Sequence, residues 1–572
     1  MLGMFVKRTC VSRGNKSYEY LSLVEAFRDE TGRSRQRTIA RMGEVSALRA
    51  SGDLDRIITA LQRFAGTDPD EPPPDWEADG APAWGATAAV AAVWARLDLG
   101  VFFERRARQR RLSYSLADAM FAMVLNRLTG PTSKRAVIDW IDNDQAMPVG
   151  FSGPSLDQLY WSLDQLADAH DDLETHLWSV LTHLANLELS LVCYDLTSTY
   201  FEGTTRPTEA FPSRVFGYSR DKRGDRPQIM IGLLCTADGL PIAHRVWPGN
   251  TNDAATLPTV LADLKDRFAV GRICVVADRG LISAANLHQV TSAGFAHILA
   301  TRLHRDPSCR QALDAAHQPD RVWSTVNHRR WSTDTTIDHN RRAVVVYSTP
   351  RRHRDLARTA ELVTRTETKL LALEHRVRNR DLTEAGQIGR SAQRILGPSG
   401  IGRLFDVEIS DARFVYHYND TAMAYEHQLA GHYVLVTDLT PREASAVRVT
   451  TMWHQLRAIE TRFRTLKDFL GLRPVRHWTE QRVRGHVALC VLAAVIEAVI
   501  TADLRHNDIR DPDLPAQHLT ATRALHELQR IRRVTITTGQ RQLQLTTRTS
   551  PLQARTLTAL GAPTHWPNTT NT

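Results

Sequence analysis

The chain has 572 residues, a formal net charge of +9 and a pI of about 9.4. This length exceeds what one hydrophobic core supports, so we expect several domains. The apolar fraction of 42% and the mean hydropathy of -0.32 are typical of a globular protein and argue against a disordered or membrane protein. The most apolar run, residues 487–500, is too short for a bilayer span and contains Glu497, so it predicts a buried helix.

Cysteine spacing and the N-terminus indicate a reducing compartment. The six cysteines lie far apart and form no CxxC, which indicates neither a zinc cluster nor a disulfide framework. Cys193 and Cys274 lie in apolar runs and are predicted to be buried free thiols. The first residues lack the apolar core of an export signal, so we expect a cytoplasmic protein.

The first 84 residues predict a small basic unit and a linker. Within residues 1–65, strand-like runs alternate with GN and TG turns, and nine basic residues stand against five acidic ones between positions 4 and 45. A solvated face and contact with a phosphate backbone both explain that excess. Residues 66–84 are rich in Pro, Asp and Gly, which predicts a linker.

Residues 85–189 repeat apolar side chains at spacings of three and four, which predicts a helical domain. A basic cluster is expected between two of its helices: Arg105, Arg106, Arg108, Arg110 and Arg111. DNA binding by this domain and ordinary helical packing both remain open.

From residue 190 the pattern predicts an α/β fold. Residues 190–302 give the order β-β-β-α-β-α-β, with a hairpin at Asp238–Gly239, and therefore a mixed five-stranded sheet. Residues 303–445 break that order and predict a large inserted subdomain with a long helix near 356–379. Residues 446–505 predict the last helices of the core, and 506–572 a polar C-terminal tail region with a strand-like patch.

Two aspartates occupy costly positions in this sheet. Asp195 lies inside the first core strand, and Asp278 ends an apolar strand that begins near residue 273. An aspartate in an apolar strand is unfavourable unless it is paired or bound to a metal ion. Two such groups in one sheet repel each other unless a cation lies between them. Carboxylate oxygens suit Mg²⁺ or Mn²⁺.

A third carboxylate, Glu460, lies on a predicted helix over residues 449–469. An apolar stripe predicts that this helix packs on the sheet: Leu456, Ile459, Phe463, Leu466 and Leu470. A polar stripe runs beside it: Trp453, Arg457, Glu460, Arg464 and Lys467. Glu460 can complete a metal site while its neighbours hold phosphate. The alternative is a surface salt-bridge pattern of Glu460 with Arg457 and Arg464.

The order of elements resembles the ribonuclease-H-like fold. The motifs around the three carboxylates resemble those of DDE transposases of bacterial insertion sequences. YDLTSTYFEG (194–203), VVADRGLIS (275–283) and IETRFRTLKDFLGLRPVRHW (459–478) match the three places where that superfamily has its acidic residues. GYSRDKRGDRPQ (217–228) and WPGNTND (247–253) are also similar to the family. The likeness extends from the N-terminal unit to residue 502.

The resemblance implies a DNA transposase with Asp195, Asp278 and Glu460 as catalytic residues and as ligands of two Mg²⁺ (or Mn²⁺) ions. It implies cleavage at the ends of the element and transfer of the 3′-ends to target DNA. The implied partners are double-stranded DNA, as terminal inverted repeats and target, and a second copy of the chain in a homodimer. No membrane association is expected.

The long interval before Glu460 fits the branch with a β-rich insertion and a Tyr-Arg-Glu-Lys signature. Glu460 and Lys467 keep the final spacing of that signature, and Lys467 is one of only seven lysines. Trp453 takes the Tyr position and can also stack on a base or sugar. Leu456 takes the Arg position, and Arg457 comes one residue later.

Residues 453–484 contain eight basic and three acidic residues, which predicts a DNA-binding track or, alternatively, a solvated basic face. The predicted DNA-binding residues are Trp453, Arg457, Arg464, Lys467, Arg473, His477 and Trp478. Two other functions remain: a metal-dependent nuclease of the same fold without strand transfer, and a catalytically inactive DNA-binding descendant. The sequence contains no G-x-S-x-G hydrolase motif and no G-x-x-x-x-G-K-[ST] phosphate loop.

Overall fold

The fold is seen in a computed structural model that describes residues 3–13, 16–30, 32–65, 76–185, 191–202, 211–268, 273–277, 284–301, 306–337, 341–397, 400–538 and 541–565. Its contacts separate two compact units. One combines Met1–Gly80 with Val534–Leu545, and the other combines Ala81–Arg533 with Thr546–Pro567.

Strands come first in the chain, and a run of helices separates them from the strands of the central sheet. The chain begins with β1 (Met4–Arg13), β2 (Lys16–Arg28), β3 (Ser34–Glu44), α1 (Val45–Ala50), α2 (Asp53–Phe64) and β4 (Trp76–Ala78). Helices follow: α3 (Gly85–Arg96), α4 (Leu99–Arg110), α5 (Leu116–Thr129), α6 (Lys134–Asn143) and α7 (Leu156–Ala185). The next elements are β5 (Leu191–Tyr200), β6 (Gln228–Thr236), β7 (Pro241–Pro248), α8 (Leu257–Asp266), β8 (Cys274–Ala277), α9 (Ala284–Ser292) and β9 (Ala296–Ala300).

The second half continues with α10 (Pro307–Ala316), β10 (Ser324–Asn327), β11 (Arg330–Ile337), β12 (Arg341–Ser348), α11 (Thr349–Arg378), α12 (Ala385–Leu396), β13 (Phe405–Ser410), β14 (Arg413–Tyr418), α13 (Asp420–Leu429) and β15 (His432–Thr437). The last elements are α14 (Ala446–His454), α15 (Leu456–Arg464), a π-helical turn (Thr465–Phe469), α16 (Glu480–His506), α17 (Ala521–Leu528), β16 (Arg533–Thr538), β17 (Arg541–Thr546) and α18 (Pro551–Ala559).

The N-terminal segment contains β-strands, as its sequence pattern predicts. Strands β1, β2 and β3 form a three-stranded antiparallel sheet, and the two helices α1 and α2 follow it. In its described part, the segment predicted as a linker contains a strand. There Trp76–Ala78 forms β4, which pairs with β16 through Ile536 and Ala78. In the second unit, Trp84 is buried at the start of α3. Backbone pairing and an apolar side chain thus order residues that composition alone assigns to a linker.

A nine-stranded sheet forms the centre of the second unit, in the order β10-β11-β12-β15-β9-β8-β5-β6-β7. The predicted order β-β-β-α-β-α-β is confirmed for residues 191–300, and its five strands lie side by side. Strands β5, β8 and β9 are mutually parallel, and their other neighbours in the sheet are antiparallel.

The segment predicted as an insertion extends this sheet. It adds β10, β11, β12 and β15, of which β15 pairs with β9. Every residue of β15 is buried, so this strand needs neighbours on both edges for its backbone groups. The rest of the segment, α11 to α13 with the β13–β14 hairpin, has a hydrophobic cluster of its own that includes Leu370, Ile388 and Leu404.

Alternation along β5 assigns its side chains to two cores. Val192 and Tyr194 join the cluster beneath α8 and α9, whereas Leu191 and Cys193 join the larger cluster on the other face. That larger cluster also contains residues of α3–α7 and α14–α18. The helices predicted over 85–189 are therefore present, but they share one core with the sheet and the C-terminal helices.

Helix α16 confirms the predicted buried helix. Residues 485–498 are buried throughout, and Thr479 caps the first turn by accepting a hydrogen bond from the Arg482 backbone N–H. Among the described helices it is the one that is long and apolar enough to cross a membrane by itself, yet 78% of its most apolar stretch is buried inside the protein. The pair α3–α4 would suit a span only if taken together across its 70° bend.

Two smaller expectations concern charged and sulfur side chains. The basic cluster predicted between helices lies mostly within α4, because Arg105 to Arg110 continue its turns and only Arg111 follows its end. Cys193 and Cys274 are buried free thiols as predicted.

Gly485 allows α16 to approach α7, and this contact gives a stability prediction. A Cβ atom at residue 485 would overlap the backbone carbonyl of Leu163. Gly485→Ala should therefore lower the free energy of unfolding by about 2 kcal/mol, although alanine normally stabilises a helix. In Gly389→Ala on α12, the added methyl group meets no atom within 4 Å. That control should be more stable than the wild type by about 0.5–1 kcal/mol. Equal unfolding midpoints for the two variants in urea would contradict this packing.

Candidate active site

Asp195 lies in the middle of β5 and is partly exposed, whereas its neighbours on both sides in the strand are buried. It continues the face of Leu191 and Cys193, which the larger core covers. Its Oδ1 accepts a hydrogen bond of 2.8 Å from the backbone N–H of Leu196. In the parallel neighbour β8, Ala277 is paired with Tyr194. Asp278, the next residue in sequence, lies outside the described residues.

Glu460 is positioned by the buried side of α15. Ile459, Phe463 and Leu466 are buried as the apolar stripe predicts, while Glu460 itself is exposed. The helix is further held by Arg462, which donates a hydrogen bond of 2.9 Å to the Gly239 carbonyl oxygen in the β6–β7 turn and pairs with Glu497 of α16. These contacts fix α15 against the hairpin and α16.

The predicted continuous helix over 449–469 is broken. Residue Gln455 separates α14 from α15, and the last turn widens to a π-helical turn. The polar stripe still converges, because Trp453 on α14 and Arg457 and Glu460 on α15 line one cleft. Within the described residues, no ion pair joins Glu460 to Arg457 or Arg464, so the surface salt-bridge alternative is not what this structure shows.

Asp195 and Glu460 meet in this cleft, whose volume is about 450 Å³. The cleft is also lined by Leu456 and Ile459 of the apolar stripe, and by residues that the sequence did not single out: Arg330, Ser348, Pro350, Arg351, Arg354, Tyr433 and His454. Arg330, Arg351 and Tyr433 come from the segment 303–445, where a separate subdomain was expected. For the two arginines, the only signal in the sequence was the high arginine content of that segment.

Tyr433 and His454 form a hydrogen bond inside the cleft, with 2.8 Å between the phenol oxygen and Nε2. Burial, and then the charges of Arg330 and Arg457, lower the pKa of His454 to about 4. Burial raises the pKa of Tyr433 to about 12. At neutral pH the tyrosine hydroxyl therefore donates, and the neutral imidazole accepts.

Lys467 is engaged in a buried ion pair and does not line the cleft. Its Nζ lies 2.7 Å from Oδ1 of Asp221, and Nη1 of Arg473 lies 2.8 Å from the same oxygen. Burial lowers the pKa of Lys467 even though Asp221 opposes that shift. Arg473 also pairs with Asp468. Asp221 belongs to the GYSRDK run, so the pair joins two motifs that are far apart in sequence.

The two flanking motifs also meet each other. Arg220 pairs with Asp253 of the WPGNTND run at 2.7 Å. A Cβ atom at Gly217 would overlap the backbone of Gly249, so only glycine permits this approach. The runs were noted for their resemblance, and the structure shows them packed together beside β5 and β6.

His477 and Trp478 have opposite environments. His477 lies partly buried between Tyr160 and His486, and burial, with the charges of Lys134 and Arg127 next, lowers its pKa to about 3. Trp478 is 67% exposed, with the guanidinium of Arg214 at 5.7 Å from its ring centre. Of these two, Trp478 is the side chain accessible to a large ligand.

The basic track over 453–484 is largely neutralised by neighbours. Ion pairs engage Arg462, Lys467, Arg473, Arg482 and Arg484. In the part of the chain that the structure describes, Arg457, Arg464 and Arg476 have no ion pair and are exposed.

Two family models match the sequence at the places where these sites lie. Residues 6–73 match the N-terminal domain of the IS1634 family transposases, and residues 187–496, more than half of the chain, match the transposase DDE domain. The chain belongs to the DDE transposases of insertion sequences. No curated protein matches the chain in sequence. The match to the DDE domain runs through β5, the inserted strands, α15 and α16, so the transposase carries its cleft inside the matched region.

The ion pair of Lys467 predicts a structural cost. Asp221→Asn would leave two partly buried cations without their carboxylate, so we expect the transposase to lose about 3 kcal/mol of unfolding free energy. Asp225→Asn removes a carboxylate that pairs with Arg223 at the surface and should change stability little. Chemical unfolding of both variants tests this. If Asp221→Asn is as stable as Asp225→Asn, the pair is not a stabilising contact.

The depressed pKa of His477 predicts a pH effect on stability. The unfolded chain takes up a proton as pH falls below about 6.5, whereas folded His477 stays neutral until about 3. Folding therefore loses stability as pH falls through this window. As the pH is lowered from 7 to 4.5, the wild type should lose this stability and His477→Gln should not. The unfolding midpoint of His477→Gln relative to the wild type should therefore rise as the pH falls. A constant difference across that range would contradict the assignment.

Proposed function

We propose that the transposase cleaves DNA at the ends of its element and joins the 3′-ends to target DNA, with two divalent metal ions, Mg²⁺ or Mn²⁺, held by Asp195, Asp278 and Glu460. The observation that carries the proposal is the shared cleft of Asp195 and Glu460. A strand residue and a helix residue separated by more than half of the second unit's sequence supply two carboxylates to one space.

The donor chemistry fits such ions. Carboxylate oxygens are the ligands that Mg²⁺ and Mn²⁺ prefer. Among the described residues there is no group of three His, Cys, Asp or Glu side chains placed to hold a metal ion, and Asp278 lies outside them. We propose Asp278 as the third ligand because it follows Ala277, whose strand is paired with β5. Bound ions would activate the attacking hydroxyl and stabilise the leaving oxygen.

The surrounding residues would hold the DNA. Arg457 lines the cleft beside Glu460 and would neutralise a phosphate there, while Trp453 offers a face for a base or sugar. Exposed Arg464 and Trp478 would continue the contact outside the cleft. Lys467, Arg473 and His477 are held by protein neighbours, so we propose that they act mainly by positioning the turn that follows α15.

The topology supports a ribonuclease-H-like core for this chemistry. Strands β7, β6, β5, β8 and β9 lie in the order 3-2-1-4-5 by their appearance in the sequence, and only the second of them, β6, runs antiparallel to its neighbours. We propose that this half of the sheet is the catalytic core and that the strands from 303–445 are its extension.

The partners follow from the reaction. The proposed substrates are the terminal inverted repeats that flank the element and a target duplex, both reached in the cytoplasm. Because two ends are joined in one event, we propose that two copies of the chain act together as a homodimer. The N-terminal unit and the helices over 85–189 are the proposed sites of further contact with the repeats.

The carboxylates give the direct test. Asp195→Asn, Asp278→Asn and Glu460→Gln should each lower Mg²⁺-dependent cleavage of an inverted-repeat duplex by roughly 100-fold or more, since each removes a charge needed in the transition state. Asp266→Asn on α8 and Glu361→Gln on α11 change exposed carboxylates outside the cleft and should cleave normally. Normal cleavage by any of the three cleft variants would remove that residue from the site.

A second assay separates the alternatives. A duplex supplied with its 3′-end already cut should be joined to a supercoiled target by the wild-type protein. Cleavage without joining would indicate a nuclease, and absence of both reactions in a protein that binds the repeats would indicate an inactive DNA-binding descendant.

A further inference from the structure

The cleft contains more positive than negative charge. Asp195 and Glu460 contribute carboxylates, whereas four guanidinium groups line the same space: Arg330, Arg351, Arg354 and Arg457. Gathering cations in one cleft raises their mutual repulsion, and the arrangement becomes favourable when an anion lies among them. The excess of arginine indicates a polyanionic ligand in addition to any cation held by the carboxylates.

Three of these arginines come from the segment that extends the sheet. Arg330 begins β11, and Arg351 and Arg354 lie near the start of α11. The N-terminal end of a helix carries partial positive charge and favours acidic side chains. The first turn of α11 contains none; Arg351 and Arg352 lie in it, and Arg354 follows in the next turn. The Asp355 carboxylate lies 3.4 Å from Nε of Arg351, whereas Arg352 and Arg354 have no ion pair among the described residues, so the charge at this end of the helix suits an anion.

Arg351 packs against an aromatic ring of the cleft. The guanidinium of Arg351 lies 5.2 Å from the ring centre of Tyr433, whose hydroxyl is bonded to His454 at the end of α14. The Nε atom of Arg330 is buried and has no hydrogen-bond partner among the described residues. Arg330 lines the same cleft as His454.

We propose that Arg330, Arg351 and Arg354 bind backbone phosphates next to the scissile phosphate, on the DNA strand that enters the cleft. The inference rests on the proposed function, because it takes the cleft as the site of cleavage. Guanidinium groups bind phosphates through two parallel hydrogen bonds, and several of them on separate elements match a chain of phosphates better than a single small anion. The extension of the sheet thereby becomes part of the DNA-binding surface.

Binding without divalent metal tests the phosphate contacts independently of cleavage. The probe is a labelled duplex with the terminal inverted repeat that flanks the element. Arg354→Gln should bind it roughly tenfold more weakly at low salt, and the slope of log affinity against log salt should fall by about 0.9 for each lost phosphate contact. Arg358→Gln is the control, one turn further along α11, exposed and outside the cleft lining. It should bind like the wild type.

A neutral-phosphate scan locates the contacts. Single methylphosphonates are placed at each phosphate near the cleavage point, and affinities are measured for wild type, Arg354→Gln and Arg351→Gln. At a contacted phosphate the neutral group should weaken wild-type binding about tenfold but weaken the matching variant little, since the contact is already absent. Equal weakening of wild type and both variants at every position would overturn the proposal.

These results remain separate from the test of the proposed function. Loss of cleavage in Glu460→Gln with no coupling in the phosphate scan would leave the catalytic site in place and reject the arginine contacts. Coupling in the scan together with full cleavage by Glu460→Gln would retain the contacts and reject the assigned carboxylate.

Discussion

The position of the candidate site depends on one requirement: the larger apolar face of the sheet must be covered. Ile459 and Phe463 of α15 and Leu466 of the π-helical turn are buried on that face, and residues 485–498 of α16 are buried throughout. Asp195 belongs to this face by the alternation of β5, so the helix that covers the core also brings Glu460 to the cleft. Packing and chemistry are coupled, because the same few turns of α15 serve both.

Buried charges lock these elements in register. Arg462 ties α15 to the β6–β7 turn and to Glu497 of α16, and Asp221 ties the turn after α15 to the GYSRDK run through Lys467 and Arg473. Each charge is costly to bury alone, so the native arrangement is favoured only when all partners are in place. Residues that a basic run suggests as DNA ligands thus form ion pairs that hold the helix carrying Glu460 and the turn after it.

The segment before Glu460 was predicted as an inserted subdomain, but it also extends the central sheet. It supplies four strands to the central sheet and arginines to the cleft. The sequence indicated the five strands over 191–300 and the long helix correctly, because their apolar patterns are local. It did not indicate β10 and β11, since STVN and RWSTDTTI are too polar to suggest strands. It also missed β12, although RRAVVVYS has the apolar run of a buried strand and pairs with the distant β15.

By itself, the sequence determined the family, the order of the core elements and the acidic residues that are candidates for the chemistry, because motifs, local periodicity and costly aspartates are properties of short stretches. Only the tertiary structure decided that Asp195 and Glu460 share a cleft, that Lys467 faces Asp221, and that Arg330, Arg351 and Arg354 join the carboxylates. Each of those facts requires residues from separate parts of the chain to meet. Such meetings are fixed by strand pairing and by burial on a common core, which local sequence patterns do not contain.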